Sequence, residues 1–225
     1  MGKQSLLVGL LSLLFSFPYL LSAQSRDQRL KEMGMVDIAL ADSTIAVSLL
    51  YASPDNIFGE AVYEGLTKAW LRPEAAAMLL NAQQLLQTVA PSHRLIVFDA
   101  ARPMAVQRKM WQLVRGTDKT NYVSNPANGG GLHNYGMAVD VSILDPDGKL
   151  LPMGSPIDHF GVEAHTDQEQ SLVASGKISA AELANRQLLR RVMQQAGFRT
   201  IRYEWWHFNG CTREEARQRF PVIDE

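Results

Sequence analysis

The chain has 225 residues, with 22 Lys and Arg set against 23 Asp and Glu, for a formal net charge of −1. That balance, with no basic run or stripe, carries no electrostatic footprint of a nucleic-acid binder or of a protein drawn to acidic membranes. Cys211 is the single cysteine, which excludes an intramolecular disulfide and any structural zinc site built from several thiolates.

In chain order, the first residues read as an export signal. Lys3 supplies the positive start, Leu6 to Leu21 is an apolar stretch broken by Ser12, Ser16 and Pro18, and Leu21-Ser22-Ala23 offers a small-residue cleavage site before Gln24. Pro18 and the lack of a basic stop-transfer cluster argue against a membrane anchor. No cysteine stands at the cleavage site for lipid attachment. The expected product is exported, periplasmic or extracellular. Residues 24–225 contain no linker or repeat and are expected to form one domain with a sizeable core.

Thr44 to Ala52 is rich in β-branched and apolar residues and predicts a strand, with a turn-rich loop from Ser53 to Gly59. Pro73 opens a helix in which Leu79, Ala82, Leu86 and Val89 recur at helical spacing, and Pro91 ends it. Arg94 to Ala100 predicts a short buried strand. Pro103 opens the next helix, to about Val114, with Val106, Met110 and Val114 on one face. Residues 116–132 are loop by composition. Met137 to Leu144 alternates as a strand and closes in the turn Asp145-Pro146-Asp147-Gly148. Ser179 and Glu182 form a capping box ahead of a helix bearing Leu188, Leu189, Val192, Met193 and Ala196, with Gly197 as its C-terminal cap. Thr200 to Phe208 predicts a last strand before a short helix at about Arg213 to Arg219. Strands and helices mix without a βαβ rhythm, so the expected class is α+β, a single domain with a largely antiparallel sheet flanked by helices.

Two stretches carry chemistry, Gly131 to Asp140 and Glu204-Trp205-Trp206-His207. Catalytic zinc takes three nitrogen or carboxylate ligands and keeps one position open. His133 and Asp140 can supply two ligands from a loop and the strand it enters, with Gly136 giving the intervening backbone freedom to turn. On that strand Ala138, Asp140 and Ser142 share one face and Val139, Val141 and Ile143 the other. Taken singly, His133 reads more simply as a loop histidine satisfied by backbone, and Asp140 as a solvated or capping carboxylate. Glu204 and His207 lie three residues apart, which puts them on opposite faces of a flat strand. One site can use both only if the chain bends between them; otherwise the segment is an amphipathic strand with aromatic packing. Arg102 follows a buried strand, where its cation can hold a carboxylate or an oxyanion, or simply pair with Asp99 or a helix carbonyl.

Jointly these residues resemble the D-alanyl-D-alanine dipeptidase family of zinc peptidases, related to the zinc D-Ala-D-Ala carboxypeptidases and the Hedgehog signalling domain. His133, Gly136, Ala138 and Asp140 match Ser-x-His-x-x-Gly-x-Ala-x-Asp, and Glu204 to His207 matches Glu-x-x-His. Arg102-Pro103, Tyr51 to Gly59 and Met153 to Asp158 resemble further segments, in the right order from about Ile45 to Phe208. The resemblance implies one zinc ion per chain on His133, Asp140 and His207, with Glu204 as general base and acid and Arg102 as transition-state stabiliser. It places Tyr51 and Asp158 near the ammonium end of a small D-amino-acid dipeptide, and implies hydrolysis of D-Ala-D-Ala in cell-wall metabolism. Gly131 departs from the pattern by standing where the motif has Ser. Two other readings share the residues: a carboxypeptidase or endopeptidase acting on peptidoglycan stem peptides, and a non-catalytic zinc-binding module. Segments 51–59 and 153–165, with His159 and His165, would discriminate by walling off or exposing the substrate's amino end. His93 reads as a surface residue.

Overall fold

A computed structural model describes residues 24–224; the expected signal segment, residues 1–23, lies outside the described residues. From the N-terminus the elements are α1 (Arg26–Glu32), β1 (Val36–Asp37), α2 (Ile38–Ala41), β2 (Ala46–Val47), β3 (Trp70–Leu71), α3 (Pro73–Val89), β4 (Arg94–Asp99) and α4 (Met104–Val114). There follow β5 (Ala138–Leu144), α5 (Glu169–Ala174), α6 (Ala180–Gln195), β6 (Arg199–Thr200), β7 (His207–Asn209) and α7 (Arg213–Arg219). No helix among the described residues is long and apolar enough to cross a membrane.

Five strands form one sheet in the order β2-β4-β5-β7-β6, and β1 and β3 form a separate antiparallel pair. Within the large sheet only β2 and β4 run parallel. The class is therefore α+β, as the unpatterned mixing of strands and helices predicts. The long helices α3 and α6 pack on each other, and α3 also packs on β4. Leu79, Ala82 and Leu86 of α3, Leu189, Val192 and Met193 of α6, and Val139, Val141, Ile143 and Phe208 of the sheet make a core with no solvent exposure. Burying one side chain the size of Phe208 contributes about 2–3 kcal/mol, so this layer holds the sheet rigid from behind and leaves its other face to carry polar groups.

Two predicted strands are shorter than their composition suggests. Only Ala46–Val47 of the first is β. After Ser48 N–H donates to the Val97 carbonyl, the chain leaves the sheet edge into a 3₁₀ turn, Leu50–Ala52, whose Tyr51 carbonyl accepts from both Val62 N and Tyr63 N. Those tertiary bonds override the β propensity and turn Tyr51 inward. The last predicted strand is a hairpin: β6 and β7 pair antiparallel, and a turn at Trp205 and Trp206 precedes His207. The bend that a shared site demands between Glu204 and His207 is thus present.

Candidate active site

The cleft lies at the polar face of β5 and β7. Asp140 and His207 are direct cross-strand partners, so their side chains emerge on the same face. His133 arrives from a 3₁₀ turn, Leu132–Tyr135, that ends at Gly136 in the left-handed region, φ 70°. A side chain at 136 would meet Met35 Cε at 3.1 Å and Arg72 N at 3.4 Å, so only glycine turns the chain here and admits the Arg72 N–H to its carbonyl.

The ligand-type atoms of His133, Asp140 and His207 lie within 4.8 Å of one another. His133 Nε2 is 3.2 Å from His207 Nδ1 and 3.3 Å from Asp140 Oδ1, which is 3.0 Å from His207 Nδ1. The other ring nitrogens are engaged: His133 Nδ1 stands 2.7 Å from the Ala100 carbonyl and His207 Nε2 2.8 Å from Asn209 Oδ1. Both acceptors require N–H on the outward nitrogens, so the two inward nitrogens are the ones that offer lone pairs to a cation, His207 Nδ1 on giving up the proton it shares with Asp140. Two imidazole lone pairs and a carboxylate oxygen facing one another is the donor set of a divalent cation, and the residues fit one. Burial opposes charge on the His207 ring, yet Asp140 raises it to about 9; the same imidazoles outweigh burial and hold Asp140 below the ordinary carboxylate range. Asn209 shares a strand face with His207 and fixes its tautomer. Asn209→Ala should therefore weaken metal affinity about 10- to 100-fold; a dissociation constant unchanged in competition with a chelator would show that the amide has no such role.

Glu204 stands beside this cluster without joining it, its Oε2 3.7 Å from His207 Nδ1 and its side chain 20% exposed. Burial and the Asp140 charge raise its pKa, although His207 opposes them. Trp205 and Trp206 pack edge to face at 5.4 Å, both buried, and hold the turn. Trp205 Nε1 donates to Ser155 Oγ at 2.9 Å, and the Trp206 carbonyl accepts from Val141 N at 3.0 Å.

Arg102 is buried, lines the cleft, and makes the pairing with Asp99 considered for it. Its Nε and Nη2 donate to Asp99 Oδ2, and Nη1 donates to Gln107 Oε1 at 3.0 Å. One hydrogen on each η nitrogen remains. Burial works against the guanidinium charge, but Asp99 and the neighbouring acids keep it firmly protonated. Asp99 reaches this place through a bulge: the β4–β5 register shifts between Val97 and Asp99, and Asp99 rather than Phe98 comes opposite Asp140. Tyr63 OH and Ala100 N–H donate to the other Asp99 oxygen. Asp99 was legible only as a pairing partner, and Gln107 and Asn209 carried no sequence signal. All three orient other residues and stand outside any motif.

Tyr51 and Asp158 meet at one end of the cleft, the hydroxyl lying 3.0 and 2.9 Å from the two carboxylate oxygens. Asp158 holds φ 60°, uncommon outside glycine but tolerated by Asp. Burial and the Asp140 charge raise its pKa to about 8, against the pull of the Tyr51 hydroxyl. An ammonium group placed against it would favour its ionised form. Tyr122 OH donates to the Phe160 carbonyl at 2.5 Å, and Lys119 Nζ to the Ile57 carbonyl at 3.2 Å. These bonds tie residues 118–122 to the segment that carries Asp158 and to the segment that carries Tyr51. The cleft encloses about 440 Å³, within the range of small-molecule sites. The other histidines stay outside the ligand cluster. His159 pairs with Glu163 at 3.1 Å, His165 packs against Tyr203, and His93 is partly exposed with Nδ1 3.4 Å from the Pro91 carbonyl.

Comparison with known proteins agrees with this arrangement. A family model described as D-ala-D-ala dipeptidase matches residues 31–224. A D-alanyl-D-alanine dipeptidase of Escherichia coli (strain K12) is 32% identical over 174 residues, which cover 77% of this chain and 83% of that protein. Proteins of the same name from Enterococcus faecium and Synechocystis sp. are 29% and 28% identical over 179 residues each, covering 70% and 66% of this chain and 82% and 72% of those relatives.

Proposed function

The chain belongs to the D-ala-D-ala dipeptidase family of peptidases, and from that premise we propose that it hydrolyses D-alanyl-D-alanine to two molecules of D-alanine, using one zinc ion held by His133, Asp140 and His207. The observation that carries the metal is the pair of imidazole lone pairs turned inward on Asp140 by the Ala100 carbonyl and Asn209. Zinc bound there would carry a net charge of plus one and supply Lewis acidity toward the scissile carbonyl and toward water.

This chain's own residues do the rest. Glu204 takes the proton of the attacking water on a carboxylate oxygen and delivers a proton to the leaving amine nitrogen; its raised pKa suits it to both duties. The free η hydrogens of Arg102, aimed by Asp99 and Gln107, stabilise charge growing on the carbonyl oxygen. Asp158, steadied by the Tyr51 hydroxyl, receives the substrate's ammonium. Bonds joining residues 118–122 to Ile57 and Phe160 support a pocket closed at that end, which suits a free dipeptide better than a longer stem peptide.

The test is a panel of D-Ala-D-Ala, its L- and mixed-chirality isomers, and a pentapeptide stem, with the enzyme stripped by chelator and reloaded. D-Ala-D-Ala should be hydrolysed, lost on stripping, and recovered with zinc. Preferential release of terminal D-alanine from the pentapeptide would favour the carboxypeptidase reading. We further infer that residues 1–23 direct export, from Lys3, the apolar stretch and Leu21-Ser22-Ala23. N-terminal sequencing of the mature protein should begin at Gln24.

A further inference from the structure

Gly131 has an ordinary extended backbone, φ −107° and ψ −177°, so nothing in its conformation requires glycine. What a side chain there would meet is Ser124, whose hydroxyl would have to move aside. A Cβ built there would lie 2.9 Å from Ser124 Oγ and 3.4 Å from Ser124 Cβ. Ser124 therefore occupies the room that a residue at 131 would otherwise fill, and it does so from a different segment of chain. Both residues line the cleft together with Arg102 and Gln107.

Ser124 is held by its backbone and not by its hydroxyl. Gln107 Nε2 donates to the Ser124 carbonyl at 2.7 Å, while Gln107 Oε1 accepts from Arg102 Nη1. The buried Gln107 thus fixes the serine and the catalytic-site cation in one rigid unit. Ser124 Oγ has no hydrogen-bond partner among the described residues. An oriented, unpartnered hydroxyl on the cationic wall of a small polar cleft is placed to bind substrate.

We propose that Ser124 is a substrate-binding residue whose hydroxyl donates to the free carboxylate of the substrate, its side chain standing in the space beside position 131, where the family motif has Ser and this chain has Gly. Charge selects the end of the substrate. The acid that suits an ammonium is Asp158, whereas Ser124 shares its wall with the Arg102 cation. The serine contributes to recognition of the C-terminal acid and leaves proton transfer to Glu204. The assignment rests on the peptidase reading of the cleft, with a separate outcome.

The experiment compares wild type with Ser124→Ala, Gly131→Ser and the Ser124→Ala/Gly131→Ser double variant, each loaded with zinc. Substrates are D-Ala-D-Ala and a stem pentapeptide, each with its C-terminal amide. A hydrogen bond to a charged group sets the scale at about 10- to 100-fold. Ser124→Ala should raise KM for the free acids by that factor, change kcat less than about threefold, and leave the amides unaffected. Gly131→Ser alone should impair the enzyme, because two side chains then compete for one place. The double variant should restore KM to within about threefold of wild type. A Ser124→Ala enzyme with equal losses on acid and amide, or with no loss, overturns the assignment, and so does a double variant no better than Ser124→Ala. If the pentapeptide rather than the dipeptide is hydrolysed, the dipeptidase reading fails, while the acid-to-amide ratio still decides Ser124.

Discussion

Glu204→Gln should load metal as wild type does and lose turnover by about 10²- to 10⁴-fold, the usual contribution of general acid–base catalysis. The amide keeps the size and shape of the carboxylate and removes only its basicity. Glu204 is suited to so clean a substitution because it lies beside the cluster of His133, Asp140 and His207 and outside it. Its side chain is partly exposed, and the turn that carries it is held by Trp205, Trp206 and the Trp206 carbonyl rather than by the carboxylate. Metal content by elemental analysis and kcat on the dipeptide separate the two roles. A variant that keeps full metal and more than a tenth of wild-type kcat would remove Glu204 as the base.

Arg102→Ala should fail in two ways that can be measured apart. Loss of a donor to the developing oxyanion should lower kcat about 10²- to 10³-fold. It should also strip Asp99 of its guanidinium partner while the carboxylate stays 1% exposed, and breaking such a buried pair typically costs about 3–5 kcal/mol. Replacing Asp99 with Asn in the Arg102→Ala background neutralises the stranded charge. It should recover part of the stability in denaturant titrations and none of the kcat. Arg102→Lys keeps a charge but cannot reach Asp99 and Gln107 together as the planar fork does, so it too should be slow. Normal kcat in folded Arg102→Ala would confine the residue to a structural role.

These two outcomes bear on different parts of the sequence reading. Glu204 was legible through the resemblance of Glu-x-x-His to the family motif, while the spacing alone gave only the requirement that the chain bend, and the Trp205–Trp206 turn supplies that bend. Arg102 was legible as a cation at a strand end, but its orientation was not. The bulge that brings Asp99 opposite Asp140 depends on how β4 pairs with β5, and no local pattern encodes a register shift. The long strand read into Thr44 to Ala52 failed for a related reason. Propensity reports what a segment tolerates, and the bonds from Val62 and Tyr63 to the Tyr51 carbonyl decide what it does.

Sequence alone determined the class of the fold, the long helices α3 and α6, the buried strand β5, and the residue types of a metallopeptidase site. Each of these rests on periodicity or spacing within a short stretch, where local geometry dictates which side chains share a face. Tertiary structure alone decided which nitrogens of His133 and His207 turn inward, how Asp99 and Gln107 aim Arg102, and that Ser124 stands in the space beside Gly131. Those arrangements join residues from separate elements, and their energies come from burial and hydrogen bonds made only after the chain has closed.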